Sequence, residues 1–431
     1  MATEGIRELA ERHWNGEGDL VHEHHPVFPA ANKKAEEIAD GVLYLKSVAS
    51  VTTIDTGDGL VMLDTGRPWD TAILHEQVRS WRSSARLAAA VFSHHHVDHV
   101  FGVGPFDQEA ADQGIPRPRV YAHELVPEHF ARYVKTLGWN SAINQRQFAR
   151  PLDFSWPEEY RSPDQTYSDK ITFSQGAMTF ELHHARGETE DATWTWVPEL
   201  RLVHPGDLFV YSVPNAGNPQ KVQRYLSDWA TALRKMAALE AEVMVAGHGL
   251  PIFGADRIRV ALTDTAEVLD SIEDQTLVLM NQGKSLDEVL HSVEMPRHLA
   301  GKPYLRPVYD HPQFLVRNVW RRYGGWYDGE PDNLLPAPRA QQAQEWVELS
   351  GGLDRVLVRA AQLSAAGDER MACHLVEFAV LAEPGSSEAH ALRASIYRAR
   401  SAREESSMAR NILGHAASSS EVGKRDLAGD Y

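Results

Sequence analysis

The sequence predicts an α/β first half followed by an all-α second half. Up to about residue 255, short apolar runs alternate with turn-forming residues, a pattern typical of strands separated by loops. Beyond that point Ala, Leu, Glu and Arg dominate, and apolar residues recur every three or four positions, which indicates amphipathic helices. At 431 residues the chain is longer than one ordinary domain, so we expect two or three folded units.

These changes in composition also predict the domain boundaries. We expect an N-terminal extension over residues 1–39, an α/β domain over 40–255, a helical domain over 256–415 and a flexible tail over 416–431. The tail is predicted because the residues from about Ser418 onward are polar and lack helical apolar spacing.

Seven short apolar runs in the first half are predicted strands. They are residues 52–54, 60–63, 87–92, 178–182, 193–197, 200–203 and 243–245. The first two flank Gly57-Asp58-Gly59, a sequence that favours a tight hairpin turn. Asp64-Thr65-Gly66 follows the second run directly.

The second half begins with a predicted helix from Ile258 to Leu279, where apolar residues keep helical spacing. Residues from about 340 to 412 are predicted to form several short helices with small residues at regular spacing and a break at Pro384. This arrangement resembles the helix pairs of tetratricopeptide repeats, although the repeat is short.

Composition and charge exclude several classes of protein. The 60 acidic and 43 basic side chains give a net charge of −17, which repels phosphate backbones, so we expect no nucleic-acid partner. We expect no membrane span, because the sequence has no apolar run of about 18 residues. The N-terminus lacks the basic and apolar regions of a secretory signal, so we predict a cytoplasmic location. The single cysteine excludes an internal disulfide framework and a cysteine-based metal motif.

The strongest chemical signal follows the predicted strand at residues 87–92. It reads Ser-His-His-His-Val-Asp-His, and its metal-competent side chains include His94, His96, Asp98 and His99. In an extended segment His94 and His96 point the same way, while Asp98 and His99 turn toward a neighbouring position. The segment thus predicts the start of two metal sites. A polar histidine-rich loop is the alternative, but a buried strand ending in clustered histidines disfavours it.

Further ligand candidates follow the later strands, each close to a glycine. They are the carboxylates of Gly187-Glu188-Thr189-Glu190-Asp191, then Gly206-Asp207, and the imidazole of Gly247-His248-Gly249. Glycine allows a sharp turn that aims the next side chain at a shared site. Each pair alone is equally consistent with a structural turn, and the order of the whole set is what favours a metal site.

Taken together, these segments resemble the metallo-β-lactamase superfamily over residues 40–255. The resemblance implies an αββα sandwich followed by an all-α helical domain. It implies that one metal is bound by His94, His96 and Glu188 and the other by Asp98, His99 and His248, with Asp207 shared between them. Asp64-Thr65-Gly66 resembles the turn that packs under the site.

One position departs from the common family pattern. Where most members have a histidine after the glycine, this chain has Glu188, and that exchange is a feature of the alkyl-sulfatase branch. His184, Glu190 and Asp191 stay open as alternatives, and Glu188 is preferred because it lies beside Gly187. In a second departure, secreted alkyl sulfatases use glutamate where this chain has Asp207.

Several segments of the second half resemble the alkyl-sulfatase dimerisation domain. They are Asp274-Gln275-Thr276, Leu279-Met280-Asn281-Gln282-Gly283, Leu286-Asp287-Glu288, Pro303-Tyr304-Leu305 and Gly325-Trp326-Tyr327-Asp328-Gly329. This resemblance implies a homodimer; a helical domain on a monomer is the alternative.

The predicted chemistry is hydrolysis by a hydroxide that bridges two divalent metals. Such a pair lowers the pKa of its bridging water from about 15.7 toward 7 and polarises the substrate. We assign catalytic roles to Asp98 and Asp207. Zinc is the expected metal, and iron or manganese would accept the same ligands. Asn215, Arg224 and Tyr309 are candidate substrate contacts, because an anionic sulfate ester needs donors; solvated loop residues are the alternative for them.

Three functions are consistent with this sequence. The first is hydrolysis of alkyl sulfates or related sulfate esters to alcohol and inorganic sulfate. The second is hydrolysis of carboxyl esters, lactones or thioesters on the same metals. The third is an interaction protein with a vestigial site, which the intact set of ligand candidates disfavours.

Overall fold

The computed structural model describes residues 5–19, 21–22, 25–27 and 35–429, so much of the predicted N-terminal extension lies outside the described residues. Within them the strands are β1 (Ala35–Ala39), β2 (Val42–Leu45), β3 (Val51–Asp55), β4 (Leu60–Leu63), β5 (Leu87–Val91), β6 (Arg119–His123), β7 (Gln165–Tyr167), β8 (Lys170–Gln175), β9 (Met178–His184), β10 (Thr193–Val197), β11 (Leu202–His204), β12 (Val243–Met244) and β13 (Ile252–Phe253).

The helices are α1 (Ile6–Trp14), α2 (Thr71–Trp81), α3 (Gly104–Gln113), α4 (Val126–Lys135), α5 (Leu137–Gln147), α6 (Leu226–Ala237), α7 (Ala255–Asn281), α8 (Leu286–Ser292), α9 (Pro312–Gly324), α10 (Arg339–Leu349), α11 (Leu353–Ala365), α12 (Glu369–Ala382), α13 (Ser387–Arg403) and α14 (Ser407–Glu421). Among the described helices, none is both long enough and apolar enough to cross a membrane.

The strands form two sheets. One has the order β1 to β7 and the other the order β13, β12, β11, β10, β9, β8. The predicted hairpin is present: β3 and β4 pair antiparallel, with Ile54 opposite Val61. In the first sheet β4, β5, β6 and β7 are parallel neighbours, and in the second sheet β11 and β12 are parallel.

The first sheet packs on both faces because its strand residues alternate between two cores. Val42 and Tyr44 face the second sheet, where their cluster includes Phe180 and Leu182. Leu43 and Leu45 point the other way and pack in the cluster that contains residues of α2, α3 and α4. This period of two is the geometry of a strand buried on both sides.

The outer face of the second sheet is covered by α6, α7 and α9. Trp194 and Val203 of the sheet share one apolar cluster with Trp229 of α6 and Leu262 of α7. Helices therefore cover both outer faces of the paired sheets. The predicted αββα sandwich with a helical C-terminal region is confirmed.

By the density of their internal contacts, the residues form two compact units. The first comprises residues 1–135 and 157–325, and the second comprises residues 136–156 and 326–431. The helix predicted from Ile258 to Leu279 is α7, which packs on α6 within the first unit. The predicted domain boundary between residues 255 and 256 stays a prediction, since it rests on composition.

In the second unit, consecutive helices pack in pairs, α11 with α12, α12 with α13 and α13 with α14. Its C-terminal end differs from the predicted flexible tail. Helix α14 continues to Glu421, and the carboxylate of Asp426 accepts hydrogen bonds from Arg146 and His415. These tertiary contacts hold residues whose sequence carries no apolar spacing.

Candidate metal centre

Each predicted ligand lies in a loop that follows a strand. The loop after β5 carries His94, His96, Asp98 and His99; the loops after β9, β11 and β12 carry Glu188, Asp207 and His248 respectively. Of these strands, β11 and β12 are parallel neighbours, so the loops that follow them converge at one edge of the second sheet. This topology brings together residues that lie more than 150 positions apart in the chain.

The first group of side chains comprises His94, His96, Glu188 and Asp207. Glu188 Oε2 lies 3.5 Å from both His94 Nε2 and His96 Nδ1. Asp207 Oδ2 lies 3.8 Å from His94 Nε2. These separations leave room for one ion between the four side chains.

The second group comprises Asp98, His99 and His248. Asp98 Oδ2 lies 3.8 Å from His99 Nε2 and 3.5 Å from His248 Nε2. Asp207 also faces this group, with Oδ1 3.5 Å from His99 Nε2 and Oδ2 3.2 Å from His248 Nε2. Asp207 therefore lies where one carboxylate can serve both groups.

The side chains of these two groups fit divalent metal ions. Four of their buried atoms have no hydrogen-bond partner: His94 Nε2, His99 Nε2, Glu188 Oε2 and Asp207 Oδ1. A buried polar atom without a partner costs about 1–3 kcal/mol, and cations held by the two groups would satisfy all four. Imidazole nitrogens and carboxylate oxygens are ligands for divalent transition metals. Residues His96 and Asp98 are partly exposed, which opens the site to substrate.

A second layer of hydrogen bonds orients the imidazoles. Ser93 Oγ lies 2.9 Å from His94 Nδ1, and Asp64 Oδ2 lies 2.7 Å from His99 Nδ1. The third imidazole, His248, donates from Nδ1 to the carbonyl of Val48. Each contact occupies Nδ1 and leaves Nε2 directed at the centre, as outer-layer partners of metal-binding histidines do.

Asp64 organises this layer from the turn that the sequence predicted beneath the site. It adopts a left-handed backbone conformation with φ of 54°. Its carboxylate accepts hydrogen bonds from the Ser93 backbone N–H at 2.8 Å and the Ser93 hydroxyl at 2.9 Å. Asp64 thus links the end of β4 to both His94 and His99.

Glu188 and Asp207, two of the three carboxylates of the centre, differ in their pKa. Burial raises the pKa of Glu188 to about 7, with Arg224 opposing and Asp207 adding to that shift. Burial also acts to raise the pKa of Asp207, but His248 and His99 outweigh it and hold that pKa well below its ordinary value. Asp207 is therefore anionic at neutral pH, as a shared ligand must be.

The three predicted substrate residues are all buried beside Glu188. Arg224 Nη1 lies 2.6 Å from Glu188 Oε1, and Asn215 Nδ2 donates to the same oxygen. Burial raises the pKa of Tyr309 well above its ordinary value, and the nearby charges of Glu188 and Asp98 add to this effect. Arg224 and Asn215 thus contact a candidate ligand in addition to any substrate role.

The alternatives to Glu188 have other contacts. Glu190 accepts a hydrogen bond from the Tyr225 hydroxyl at 2.6 Å, and His184 stacks on His123 with ring centroids 3.8 Å apart. Asp191 contacts His95 and His129 in a third buried group. Glu188 is the residue of this loop that reaches His94 and His96.

The sequence did not indicate that third group. His95 lies inside the histidine motif, but its ring contacts His129 and Asp191. His129 belongs to α4, where an isolated histidine in an amphipathic helix carries no local signal. Lys221 also lies near the centre; burial lowers its pKa to about 8, and the charges of Asp98 and Glu188 oppose that shift.

Two family models match the chain. The metallo-beta-lactamase superfamily model matches residues 46–248, and the alkyl sulfatase dimerisation model matches residues 285–423. The first match covers every residue of the two ligand groups. The second covers most of the predicted helical domain.

Characterised relatives are similar over most of this chain. A linear primary-alkylsulfatase from a Pseudomonas strain is 27% identical over 80% of this chain and 69% of its own length. An (R)-specific secondary-alkylsulfatase from Pseudomonas sp. is 26% identical over 84% of this chain and 58% of its own length. An alkyl/aryl-sulfatase from Saccharomyces cerevisiae is 25% identical over 87% of this chain and 62% of its own length. The chain thus spans about 58–69% of the length of these relatives.

A solved structure has the same fold. The stereoselective inverting sec-alkylsulfatase Pisa1 from Pseudomonas sp. superposes with a TM-score of 0.83 at 24% identity, covering 91% of this chain and 66% of that one. Both family models and the relatives agree, and the chain is similar to the alkyl-sulfatase-like branch of the metallo-β-lactamase superfamily.

Proposed function

We propose that this protein is a binuclear metal-dependent hydrolase that cleaves alkyl sulfates or related sulfate esters to alcohol and inorganic sulfate. The observation that carries the proposal is the pair of ligand groups on either side of Asp207, next to a buried arginine. The alkylsulfatase names of the relatives support the same substrate class.

Zinc is the proposed metal, with two ions per chain. His94, His96 and Glu188 would hold one ion, and Asp98, His99 and His248 the other. Asp207 would contact both, as its distances to the two groups suggest. When bound, such ions act as Lewis acids on the ester and bring the pKa of a water close to neutrality.

The remaining residues bind and orient the ester. Arg224 is buried, and its Nε has no partner, so this N–H is available to a sulfate oxygen. Charge-assisted hydrogen bonds of this kind are strong in a site shielded from water. Tyr309 keeps its proton at neutral pH because its pKa is raised, so its hydroxyl serves as a donor. Asn215 holds Glu188 in place from the same side.

The C-terminal half is proposed to form a homodimer. Its match to the dimerisation model supports this assembly. A solution mass of twice the chain mass would support the dimer, and a mass equal to one chain would contradict it. The cytoplasmic location stays a prediction.

The function is tested by measuring sulfate release from a medium-chain alkyl sulfate with protein of known metal content. Wild type is compared with Asp207→Ala, which removes the carboxylate between the groups, and with Asp112→Ala as a matched control. Asp112 is exposed on α3, where it accepts a hydrogen bond from Gln108. A p-nitrophenyl ester and a lactone are assayed in parallel.

We expect wild type and Asp112→Ala to release sulfate and to bind about two metals per chain, and Asp207→Ala to lose activity by at least about a hundredfold, the scale of removing a transition-state contact. Turnover of the ester or lactone without sulfate release would assign the chain to the second substrate class. Absence of bound metal in wild type would overturn the enzyme proposal.

A further inference from the structure

A third buried group of metal-competent residues lies beside the centre. It consists of His95, His129 and Asp191, whose exposed fractions are 1%, 3% and 0%. His95 Nδ1 and His129 Nδ1 lie 3.1 Å apart, and Asp191 Oδ2 lies 3.0 Å from the first and 3.3 Å from the second. Distances of this size would also suit ligands around a tetrahedral ion.

The polar atoms of this group, in contrast to those of the two ligand groups, already have partners. Asp191 accepts hydrogen bonds from the His95 backbone N–H at 3.1 Å and from His95 Nδ1 at 3.0 Å. His129 has Asp191 near Nδ1 and Glu190 3.3 Å from Nε2. The third group is therefore satisfied without a cation.

The contact with α4 also opposes a metal at this position. Arg132 Nη2 lies 3.2 Å from His95 Nε2, and a guanidinium can only donate. His95 Nε2 must then accept, so the ring proton lies on Nδ1 and is donated to Asp191. A metal on Nδ1 would require that lone pair and would place a proton on Nε2 against the Arg132 donor.

We propose that Asp191, with His95 and His129, is a positioning clamp that sets the geometry of the His94, His96 and Glu188 ligands. Asp191 binds both the backbone and the ring of His95. It also lies three residues after Glu188 in the same loop. The clamp therefore joins the two loops that carry this ligand group, and α4 supplies its third member.

The effect on the ligands follows from the position of His95 between two of them. Asp191 holds both the backbone N–H and the ring of His95. The neighbouring residues His94 and His96 both approach Glu188, so a shift of the His95 backbone moves both ligands. Outer-layer residues of this kind typically change metal affinity by about 10–100-fold when they are replaced.

The clamp is tested with two variants. Asp191→Asn keeps the side-chain volume but removes the charge, and His129→Gln replaces the member of the clamp that α4 supplies. Asp164→Asn is the matched control. That aspartate also accepts a backbone N–H, from Val120 at 2.9 Å, together with contacts from Arg117 and Arg161. The readouts are the affinity of the protein for Zn²⁺ by chelator competition and the visible absorption of the Co²⁺-substituted protein.

We expect Asp191→Asn to weaken the binding of one of the two ions by about 10–100-fold and to shift the Co²⁺ bands. His129→Gln should weaken Zn²⁺ binding and shift the Co²⁺ bands in the same direction but by less. The control should resemble wild type. In turnover, kcat should fall while KM for the substrate stays unchanged, because the clamp does not touch substrate.

Unchanged Zn²⁺ affinity and Co²⁺ bands in both variants would overturn the clamp. A third Zn²⁺ per chain that Asp191→Asn abolishes would also overturn it, by showing a metal site instead. The inference rests on the metal centre of the proposed function but not on the substrate class. If wild type binds two ions and does not release sulfate, the substrate proposal fails while these readouts still test the clamp.

Discussion

Two kinds of buried histidine and carboxylate group lie side by side in this protein and have different physical characters. In the groups around Asp207, four buried polar atoms lack a partner. In the group around Asp191, the same residue types satisfy one another through hydrogen bonds. The comparison teaches that several unsatisfied ligand atoms brought close together favour a cation site, whereas burial and residue type alone do not.

The two carboxylates show the same contrast through their neighbours. Asp207 lies between His94 and His99 of the loop after β5 and His248 of the loop after β12. Asp191 accepts from the backbone of His95, so part of its charge stabilises the fold of the loop itself. One carboxylate remains available for a ligand, and the other is committed to structure.

The largest expected effect comes from Gly247→Ala, which disturbs the Asp207 group without removing a ligand. A Cβ on Gly247 would lie 2.2 Å from Asp207 Oδ1 and 3.1 Å from His99 Cε1. Because Asp207 must move, we expect metal affinity to fall by about 10–100-fold, measured by chelator competition. Gly104→Ala is the control, since a Cβ there meets nothing within 4 Å. Equal affinities in both variants would contradict the shared role of Asp207.

A smaller effect is expected from Arg224→Lys. This variant tests whether Arg224 binds substrate in addition to supporting Glu188. Lysine keeps the positive charge but lacks the planar set of N–H donors of arginine. It therefore cannot pair with Glu188 and at the same time donate a second hydrogen bond to an ester. We expect KM for an alkyl sulfate to rise about tenfold, the equivalent of about 1.4 kcal/mol, with two metals retained.

The control for this variant is Arg234→Lys, whose arginine pairs with Asp270 at the surface. Steady-state kinetics and metal content are measured on the same samples. Loss of metal with an unchanged KM would instead assign Arg224 to Glu188 alone.

The smallest effect concerns Asp310, a buried carboxylate that differs from both groups. It accepts the backbone N–H groups of Gly217 and His311, each at 2.7 Å. Burial raises its pKa from 3.8 to about 7, because these two donors and Arg224 only partly oppose burial. The folded state therefore binds a proton that the unfolded chain releases between these values.

The contribution of Asp310 to stability is thus complete below about pH 4 and is lost as the pH rises through about 7. The titration of Asp310 should lower the free energy of unfolding by up to about 1.4 kcal/mol per pH unit between pH 5 and 7. We expect Asp310→Asn to lack this contribution. Urea unfolding at several pH values measures it. Parallel curves for wild type and variant would show that this carboxyl does not titrate in that range.

Much of the fold and of the centre was predictable from the sequence because the signals are local. The hairpin at Gly57-Asp58-Gly59, the strand before His94 and the helix near Ile258 depend on turn chemistry and on periods of two or 3.6 residues. The His-x-His-x-Asp-His spacing carries its chemistry within six residues. The choice of Glu188 over Asp191 depended on the place of Glu188 beside Gly187.

The sequence by itself determined the α/β and all-α classes of the two halves and the set of metal-competent residues. It also determined the order along the chain of the polar loops that follow the strands. Only the tertiary structure decided which of those residues share a site. It placed Arg224 on Glu188, brought His129 from α4 to Asp191 and ordered the chain around Asp426. The physical reason is that hydrogen-bond satisfaction depends on distances between residues far apart in the chain, and no local pattern encodes those distances.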